Sequence, residues 1–281
     1  MLNNRILITG ATGFVGKQVI KRLCDLDVKI YLALRPGKEN IFYDIEAVES
    51  IIYSQDIFKE SAAWWAETCK DIDTIIHLAW YAEPGKYLES SKNNECFEGT
   101  VNFAKGAVKA GVKRFLGIGT CVEYKNSSSP LEASSPLNPS TPYAKSKVDT
   151  FKYLTTLFQE NSIEFLWCRL FYLFGEGEDC RRLAPLFRHR FMNGKSVELS
   201  NTGMVKDYLN VQEAGKIIAN LAINTHIGAY NVCSGEGITV QTFAEKIADE
   251  YNSRDLLECG DVQTHFNGPQ FVVGVKTDPQ F

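Results

Sequence analysis

Tyr143 and Lys147 carry the clearest chemical signal in the sequence. They stand four residues apart in the segment YAKSK, so a helix would place both on one face, one turn apart. A nearby ammonium favours the phenolate and lowers the pKa of a tyrosine from its ordinary value of about 10. Tyr143 could then give or take a proton near neutral pH. Tyrosine–lysine pairs at this spacing also occur on solvated helix faces, so the pair alone leaves both interpretations open.

Thr120 is the next candidate for chemistry. It ends the segment LGIGT over 116–120, which the apolar pattern predicts to be a strand. A hydroxyl at the carboxyl end of this strand could hydrogen-bond a substrate carbonyl or hydroxyl beside Tyr143. The alternative interpretation is an ordinary turn residue at the end of a strand.

Three glycines near the amino terminus have the spacing of a phosphate cradle. Gly10, Gly13 and Gly16 lie in the segment GATGFVG, between an apolar run and a helical pattern of apolar residues. The order predicts a strand, a tight turn and a helix. Such a turn lets the backbone approach a diphosphate, and the helix N-terminus then offers N–H groups and a positive dipole to that anion.

Alternating elements are predicted to position these residues. Apolar strands and helical patterns follow one another, which favours an α/β fold with a parallel, doubly wound Rossmann sheet covered by helices on both faces. The Ser- and Pro-rich stretch 127–142 is predicted to be a surface loop. The predicted strands after the first are 28–34, 49–53, 74–79, 113–118 and 163–171, and the predicted helices are 61–69, 87–110 and 143–161.

The pattern changes after Gly175, where charged and apolar residues mix. We predict a Rossmann domain over 1–171, which would carry the diphosphate-binding turn, with a returning segment near 206–235. A smaller α/β substrate-binding lobe is predicted over 172–281. Such a lobe would close over a ligand held at the carboxyl ends of the strands.

Composition narrows the possible classes of function. The chain has 281 residues, 44% hydrophobic and 23% charged, with a net charge of -4, so neither a nucleic-acid partner nor a membrane partner is expected. No apolar run approaches the roughly 18 residues of a membrane span, and the first strand lies so near the start that no signal peptide is expected. None of the eight cysteines forms a CxxC pair, so no zinc cluster is expected, and reduced thiols in a cytoplasmic protein are favoured.

The joint set of motifs resembles the extended short-chain dehydrogenase/reductase family. The glycine segment, Thr120 and the YAKSK segment share its order and spacing, as do RLFYLFG over 169–175, KDYLNV over 206–211 and YNVCSG over 230–235. The similarity runs from about residue 4 to about residue 245. Within the family, the chain resembles nucleotide-sugar 4-keto reductases, such as those that make CDP-abequose or dTDP-fucose, in its length and in its sequence pattern.

The resemblance implies roles for individual residues. Tyr143 would protonate the carbonyl oxygen as hydride arrives, Lys147 would hold the nicotinamide ribose and lower the pKa of Tyr143, and Thr120 would share the hydrogen bonds of that oxygen. The cofactor contacts implied are Gly10, Thr12, Gly13, Phe14, Val15, Gly16, Arg35, Lys38, Asp56, Ile57, Leu78, Ala79, Tyr143, Lys147 and Phe171.

Arg35 and Lys38 indicate the cofactor. An acidic residue at the end of the second strand would hold the ribose hydroxyls of NAD, but Arg35 stands there, with Lys38 three positions on. A guanidinium suits a 2′-phosphate through a bidentate contact, so we expect NADP(H). A solvated turn arginine is the alternative.

The expected reaction is an NADPH-dependent reduction of a nucleotide-diphosphate 4-keto-6-deoxy sugar. The Asp-Glu pair of the family's dehydratases is replaced by Cys121 and Val122 after Thr120. The GDP-fucose synthases have their Cys two positions after the strand-end residue, where Val122 stands here. The alternatives are an epimerase with tightly bound NAD(P), a small-carbonyl reductase, and a non-catalytic NADP-binding protein.

The substrate would lie between the fourth strand and the second lobe, and the family also implies a homodimer through the helices 87–110 and 143–161. Among the cations of the lobe, Arg182 and Lys206 are the first candidates for a diphosphate. The expected substrate contacts are Trp80, Tyr81, Glu83, Thr120, Cys121, Tyr143, Tyr172, Arg182 and Lys206.

Overall fold

A computed structural model describes residues 4–260 and 268–277. Its strands are β1 Asn4–Thr9, β2 Val28–Leu34, β3 Val48–Tyr53, β4 Thr74–His77, β5 Arg114–Thr120, β6 Glu164–Leu170, β7 Tyr172–Phe174, β8 Val197–Leu199, β9 Val205–Asn210, β10 Gly228–Val232, β11 Gly237–Thr239, β12 Leu257–Cys259 and β13 Phe271–Val272. Its α-helices are α1 Phe14–Leu23, α2 Ala62–Thr68, α3 Lys92–Ala110, α4 Pro142–Glu160, α5 Leu183–Met192, α6 Val211–Ile223 and α7 Val240–Asp249. Among the described helices, none combines the length and the apolar character that a membrane span requires.

A parallel sheet forms the centre of the molecule. Within the described residues it has seven strands in the order β10-β6-β5-β4-β1-β2-β3, and each neighbouring pair is parallel. The strand order reverses between β1 and β4, so the chain winds outward in both directions from that point. The predicted doubly wound Rossmann sheet is confirmed.

Side chains of successive residues leave the sheet on opposite faces, and both faces are covered. Ile6 and Ile8 of β1 pack in one cluster with apolar residues of α1 and α6. Leu7, between them, packs on the other face with the aromatic residues Trp65 of α2 and Phe103 of α3. This burial on both faces explains why the strands are apolar throughout.

Helix α4, which carries Tyr143 and Lys147, begins with two strong start signals. The Thr141 hydroxyl oxygen accepts a hydrogen bond from the Ala144 N–H at 3.2 Å, and Pro142 occupies the first turn. Both features stabilise a helix N-terminus. They fix where the turn that carries Tyr143 starts.

Helix α3 begins at Lys92, whereas the sequence pattern predicted a helix from residue 87. The Asn93 side chain donates hydrogen bonds to the Tyr87 and Ser90 carbonyl oxygens. These bonds hold the preceding segment in turns, because a side-chain amide competes with the backbone donors that a helix would use. The prediction of helix over 87–91 is therefore wrong, and Tyr87 lies in a loop.

A smaller sheet lies beyond the central one. Strands β11, β9 and β13 are neighbours in this sheet, and β7 also pairs with β9. Helices α5 and α7 pack together in a separate apolar cluster, to which α5 contributes Phe187 and α7 contributes Phe243. The segment predicted to return near 206–235 begins in this smaller sheet with β9, and β10 then joins the central sheet beside β6. The predicted boundary between residues 171 and 172 stays a prediction.

Candidate functional site

The turn between β1 and α1 depends on glycine at two positions. Gly10 has a φ of 76°, and a Cβ there would lie 2.6 Å from the Ala79 nitrogen. A Cβ on Gly16 would lie 2.8 Å from the Ala11 carbonyl oxygen. The close approach of β1, β4 and the first turn of α1 therefore requires residues without side chains at both positions.

This turn fits a diphosphate. Gly13 precedes α1, is exposed, and has no side chain that could cap the helix. The first helical turn, FVGK over 14–17, carries no acidic residue. Its N–H groups and the positive end of the dipole thus point toward a surface that an anion can reach. Phe14, Val15 and Thr12 border this surface and are half-buried.

Lys147 is buried at the carboxyl end of β5. Its Nζ donates a hydrogen bond to the Ile118 carbonyl oxygen at 2.7 Å and lies 3.6 Å from the centroid of the Trp80 ring. Only 3% of the residue is exposed. Burial lowers the pKa of Lys147 to about 7, against the opposing effect of the Glu123 carboxylate. Near neutral pH this lysine therefore titrates.

Tyr143 is half-buried one turn before Lys147, and the Nζ of Lys147 lies 6.0 Å from the centroid of its ring. The Tyr87 ring meets the Tyr143 ring edge-on at 4.8 Å. Burial raises the pKa of Tyr143 well above its ordinary value, and a hydrogen bond with the Thr120 side chain acts in the other direction. The predicted lowering of this pKa by Lys147 is wrong for the protein without bound cofactor, because burial dominates.

Thr120 is held by its own backbone as well as by its side chain. Its N–H donates to Oε1 of Glu123 at 2.8 Å, and its hydroxyl oxygen accepts from the Val122 N–H at 3.4 Å. Thr120 and Glu123 form a capping box around the short 3-10 turn 121–123. The Thr120 side chain also hydrogen-bonds Tyr143, and the Lys147 Nζ lies 6.0 Å from the centroid of the Tyr143 ring. The structure therefore places these three residues together, and their catalytic roles stay predictions.

A buried ion pair lies directly behind Thr120. Glu123 and Arg169 are 0% and 1% exposed, and the Arg169 Nε donates to Oε2 of Glu123 at 2.7 Å. Trp167 Nε1 also donates to this carboxylate, and Arg169 donates to the Tyr124 hydroxyl oxygen at 3.1 Å. Burial raises the pKa of Glu123, and the Arg169 guanidinium opposes that rise.

His77 joins the carboxyl ends of β1 and β4 to α3. Its Nδ1 lies 2.7 Å from the Thr9 hydroxyl oxygen, and its Nε2 lies 2.9 Å from the Thr100 hydroxyl oxygen. Burial lowers the pKa of His77 to about 3, and the Lys147 charge adds to this effect. The ring is therefore neutral at physiological pH, and it holds in place the strand end that leads to Leu78 and Ala79, both half-buried.

The residues expected at the adenosine end lie at the ends of β2 and β3. Arg35 and Lys38 are exposed, and in the part of the chain that the structure describes neither is joined to an acidic residue by an ion pair. Asp56 accepts a hydrogen bond from the Phe58 N–H at 3.1 Å and lies 3.7 Å from Lys59. Ile57 packs at the edge of the core.

Several substrate candidates bridge the loop after β4 and the start of α5. The Tyr81 hydroxyl donates to Glu83 at 2.9 Å, and Glu83 lies 3.6 Å from Arg181. Arg182 is exposed, with its guanidinium carbon 5.9 Å from the centroid of the Tyr87 ring. The Tyr87 ring thus contacts both Arg182 and the Tyr143 ring.

Other candidates are buried instead. Lys206 is 4% exposed, donates to the Pro269 carbonyl oxygen at 2.6 Å, and lies 5.2 Å from the centroid of the half-buried Tyr172 ring. Phe171 and Cys121 are 5% and 6% exposed and share a small apolar cluster. Burial raises the pKa of Cys121 to about 12, so this thiol stays protonated.

The motifs did not identify Glu123, Trp167 or Tyr87. Two signals for Glu123 are present in the sequence. A carboxylate three positions after a threonine is the pattern of a capping box, and Arg169 is a charge inside an otherwise apolar strand, which needs a buried partner. Tyr87 is the first residue of the predicted helix 87–110, whereas in the structure it lies in the turns before α3 and its ring meets Tyr143.

Known proteins are similar to this chain in architecture and in sequence. The chain is 25% identical over 257 residues to a dTDP-6-deoxy-L-talose 4-dehydrogenase (NAD(+)) of Aggregatibacter actinomycetemcomitans, covering 88% of this chain and 90% of that protein. It is 25% identical over 283 residues to a dTDP-4-dehydro-6-deoxyglucose reductase of Escherichia coli, covering 94% and 88%.

Solved structures agree on the fold. A UDP-N-acetylglucosamine 4-epimerase from Methanobrevibacter ruminantium, in complex with UDP-N-acetylmuramic acid, superposes with a TM-score of 0.85 at 22% identity, covering 99% of this chain and 91% of that one. A dTDP-glucose 4,6-dehydratase from Streptomyces venezuelae with NAD bound gives 0.81 at 20% identity, covering 97% and 88%. The model of the NAD dependent epimerase/dehydratase family matches residues 6–233. With the glycine turn, Thr120, Tyr143 and Lys147 in the places described, the chain belongs to the NAD dependent epimerase/dehydratase family, the extended short-chain dehydrogenases/reductases.

Proposed function

We propose that this protein is an NADPH-dependent reductase that transfers hydride to the 4-keto group of a nucleotide-diphosphate 4-keto-6-deoxy sugar. The observation that carries the proposal is the grouping of Thr120, Tyr143 and Lys147 at the carboxyl end of β5. The two curated relatives described above are named for reactions at the same ring position.

The residues divide the work of the reduction. A nicotinamide cofactor held by the glycine turn and Lys147 would supply hydride for the carbonyl carbon. Tyr143, whose raised pKa keeps the phenol protonated at neutral pH, gives its proton to the carbonyl oxygen. The Thr120 hydroxyl hydrogen-bonds the same oxygen, and Lys147, when protonated, stabilises the phenolate that Tyr143 leaves behind. Arg182, exposed beside Tyr87, is the better placed cation for the diphosphate, because Lys206 is buried against Pro269.

A Tyr143→Phe substitution tests the proposed chemistry. It keeps the ring contact with Tyr87 and removes only the proton donor. With NADPH and a dTDP-4-keto-6-deoxy sugar, we expect kcat to fall about 10²–10⁴-fold, with the rate followed by the decrease in reduced nicotinamide absorbance. Tyr153→Phe, on the outer part of the same helix, is the matched control. Full activity of Tyr143→Phe would contradict the proposal.

Arg35 supports the choice of NADPH because the guanidinium has no competing carboxylate partner among the described residues. The relative named with NAD(+) favours the other cofactor. An Arg35→Ser variant should bind NADPH about tenfold to a hundredfold more weakly, the value of one or two charge-assisted hydrogen bonds, and should bind NADH as before. Equal turnover with both cofactors in the native protein would contradict this choice.

An epimerase is the second candidate. Two other relatives are named as UDP-glucose 4-epimerases, and an epimerase would use the same tyrosine with a cofactor that stays bound. Nicotinamide that remains bound through purification, together with conversion of a UDP-sugar without net loss of reduced cofactor, would favour this candidate. Exchangeable NADPH and stoichiometric oxidation favour the reductase.

We also propose that the protein forms a homodimer through α3 and α4. The outer side of these helices carries a depression in which the half-buried side chains of Phe97, Tyr153 and Leu157 are bordered by the exposed polar residues Asp149, Lys152, Thr156 and Glu160. Apolar side chains in such a position suit a contact with a second copy. Sedimentation of the native protein and of a Phe97→Glu variant would test this, since the variant should be monomeric.

A further inference from the structure

We propose that Glu123 is a positioning residue of this site, whose buried carboxylate fixes the Thr120 backbone and faces the Lys147 ammonium with a negative charge. The inference rests on the proposed function, because Thr120 and Lys147 act in the proton transfer assigned above. It extends that function, because Glu123 would act through these two residues without touching the substrate.

The geometry behind Thr120 is built around this carboxylate. Glu123 accepts hydrogen bonds from the Thr120 N–H, from Trp167 and from Arg169. A Cβ on Gly119 would lie 2.5 Å from Oε1 of Glu123, so the strand has a glycine where the carboxylate approaches it. The carboxylate therefore fixes the orientation of Thr120 at the end of β5, and without the carboxylate this orientation would not be held.

A buried ion pair is poor evidence for stability. Taking both charges out of water costs several kcal/mol per ion, and well-packed apolar residues of the same volume often serve as well or better. A chain that needed only packing behind Thr120 would have no use for Glu123 and Arg169 there. The pair also lies at the catalytic end of β5, next to the residues that move a proton.

Lys147 connects to the same strand end. Its Nζ is bonded to Ile118, two residues before Thr120, so Glu123 and Lys147 both hold the last residues of β5. The Nζ also lies 5.7 Å from the centroid of the Trp167 ring, whose Nε1 donates to Glu123. The titratable groups near Lys147 are Glu123, the Cys96 thiol, His77 and Tyr143. Cys96 is a thiol whose pKa burial raises, and His77 and Tyr143 are neutral near pH 7, so Glu123 is the carboxylate among them.

The consequence concerns the pH range in which Lys147 is charged. Burial lowers the pKa of Lys147, and the Glu123 carboxylate opposes this. Removing the carboxylate should lower the pKa of Lys147 further, so that the ammonium loses its proton at a lower pH. A neutral lysine cannot stabilise the phenolate of Tyr143, so the reaction should lose its alkaline range.

A Glu123→Gln variant tests the inference because it keeps an oxygen acceptor for the Thr120 N–H and removes the charge. The titration of Lys147 would be followed by NMR of isotope-labelled lysine Cε in the protein without cofactor, and its signal would be assigned by its loss in Lys147→Arg. We expect the midpoint to move down by about one pH unit, the lower end of the effect of an opposite charge nearby. The alkaline limb of kcat/KM should move with it, which a merely structural role would not cause.

Glu164→Gln is the matched control, because it removes a carboxylate from Arg114 at the other end of the same strands. Its Lys147 midpoint should equal that of the native protein. If Glu123→Gln does not fold, a Glu123→Gln/Arg169→Met double variant also removes the guanidinium that loses its carboxylate partner, and its Lys147 midpoint should still move down, by less than in the single variant because a cation is removed as well. An unchanged midpoint in a folded variant would overturn the inference. The titration needs no substrate, so failure to reduce any nucleotide sugar would overturn the proposed function alone.

Discussion

The β5–β6 pair carries an ion pair at each end, and the two differ in their surroundings. At the amino end, Arg114 bonds Glu164 at 2.6 Å, and 54% of the Glu164 side chain is exposed. At the carboxyl end, Arg169 bonds Glu123 at 2.7 Å, and neither side chain is more than 2% exposed. Water can therefore solvate the carboxylate at one end, whereas at the other end only the protein can.

The same difference extends across the central sheet. On the amino side, Lys29 pairs with Glu49, and Lys113 pairs with Asp73, through side chains that water reaches. On the carboxyl side, His77 is buried and bonded on both ring nitrogens. Within the described part of the chain, the end of the sheet that holds the candidate site thus has buried polar groups that are hydrogen-bonded to other protein groups, and these bonds fix their positions.

The largest expected effect comes from breaking the buried pair. Arg169→Met should lower the free energy of unfolding by about 3–5 kcal/mol, because it leaves the Glu123 carboxylate buried without its counter-charge. Urea unfolding measures this. An Arg169→Met/Glu123→Leu double variant should recover most of the loss, since apolar residues can fill the space. A cost below about 1 kcal/mol for the single variant would show that water reaches Glu123.

His77 extends the comparison to pH. Its pKa is about 3 in the folded protein and about 6.5 when unfolded, so between these values the unfolded chain binds a proton that the folded protein excludes. Its contribution to stability is therefore present above about pH 6.5 and is lost as the pH falls. From pH 7 to pH 5 this group should cost about 2 kcal/mol.

The measurement is urea unfolding of the native protein and of His77→Asn at both pH values. The difference between the two proteins in the free energy of unfolding should be smaller at pH 5 than at pH 7 by about 2 kcal/mol. His189→Asn, at an exposed position, should follow the native protein throughout. A constant difference between native protein and His77→Asn would mean that the buried ring already accepts a proton.

The fold could be predicted because its signals are local. The apolar run 28–34 predicts a strand, and β2 has the same bounds. The prediction succeeds because both faces of a central strand are covered, so that successive residues are apolar. Tyr143 and Lys147 were found because four residues in a helix make one turn. Thr120 was found because strand ends gather at one edge of a parallel sheet.

What could not be predicted depends on contacts between distant residues. Glu123 and Arg169 are 46 positions apart, and only the folded sheet shows that they meet behind Thr120. The pKa of Tyr143 was predicted in the wrong direction because the spacing to Lys147 is visible in the sequence, whereas the depth of burial is not. The start of α3 was missed because Asn93 bonds two carbonyl groups of the preceding loop.

The smallest expected effect is at the amino end. Glu164→Gln should change the free energy of unfolding by less than about 1 kcal/mol, because the carboxylate is half in water and such pairs contribute little. Arg114 would keep its hydrogen bonds to the Leu221 and His226 carbonyl oxygens, and the new side-chain amide would still offer its guanidinium an oxygen acceptor. Urea unfolding at low and high salt measures this, and added salt should reduce the difference further. A loss as large as that of Arg169→Met would mean that the two ends of the β5–β6 pair are energetically alike, and that burial does not distinguish the end that carries the site.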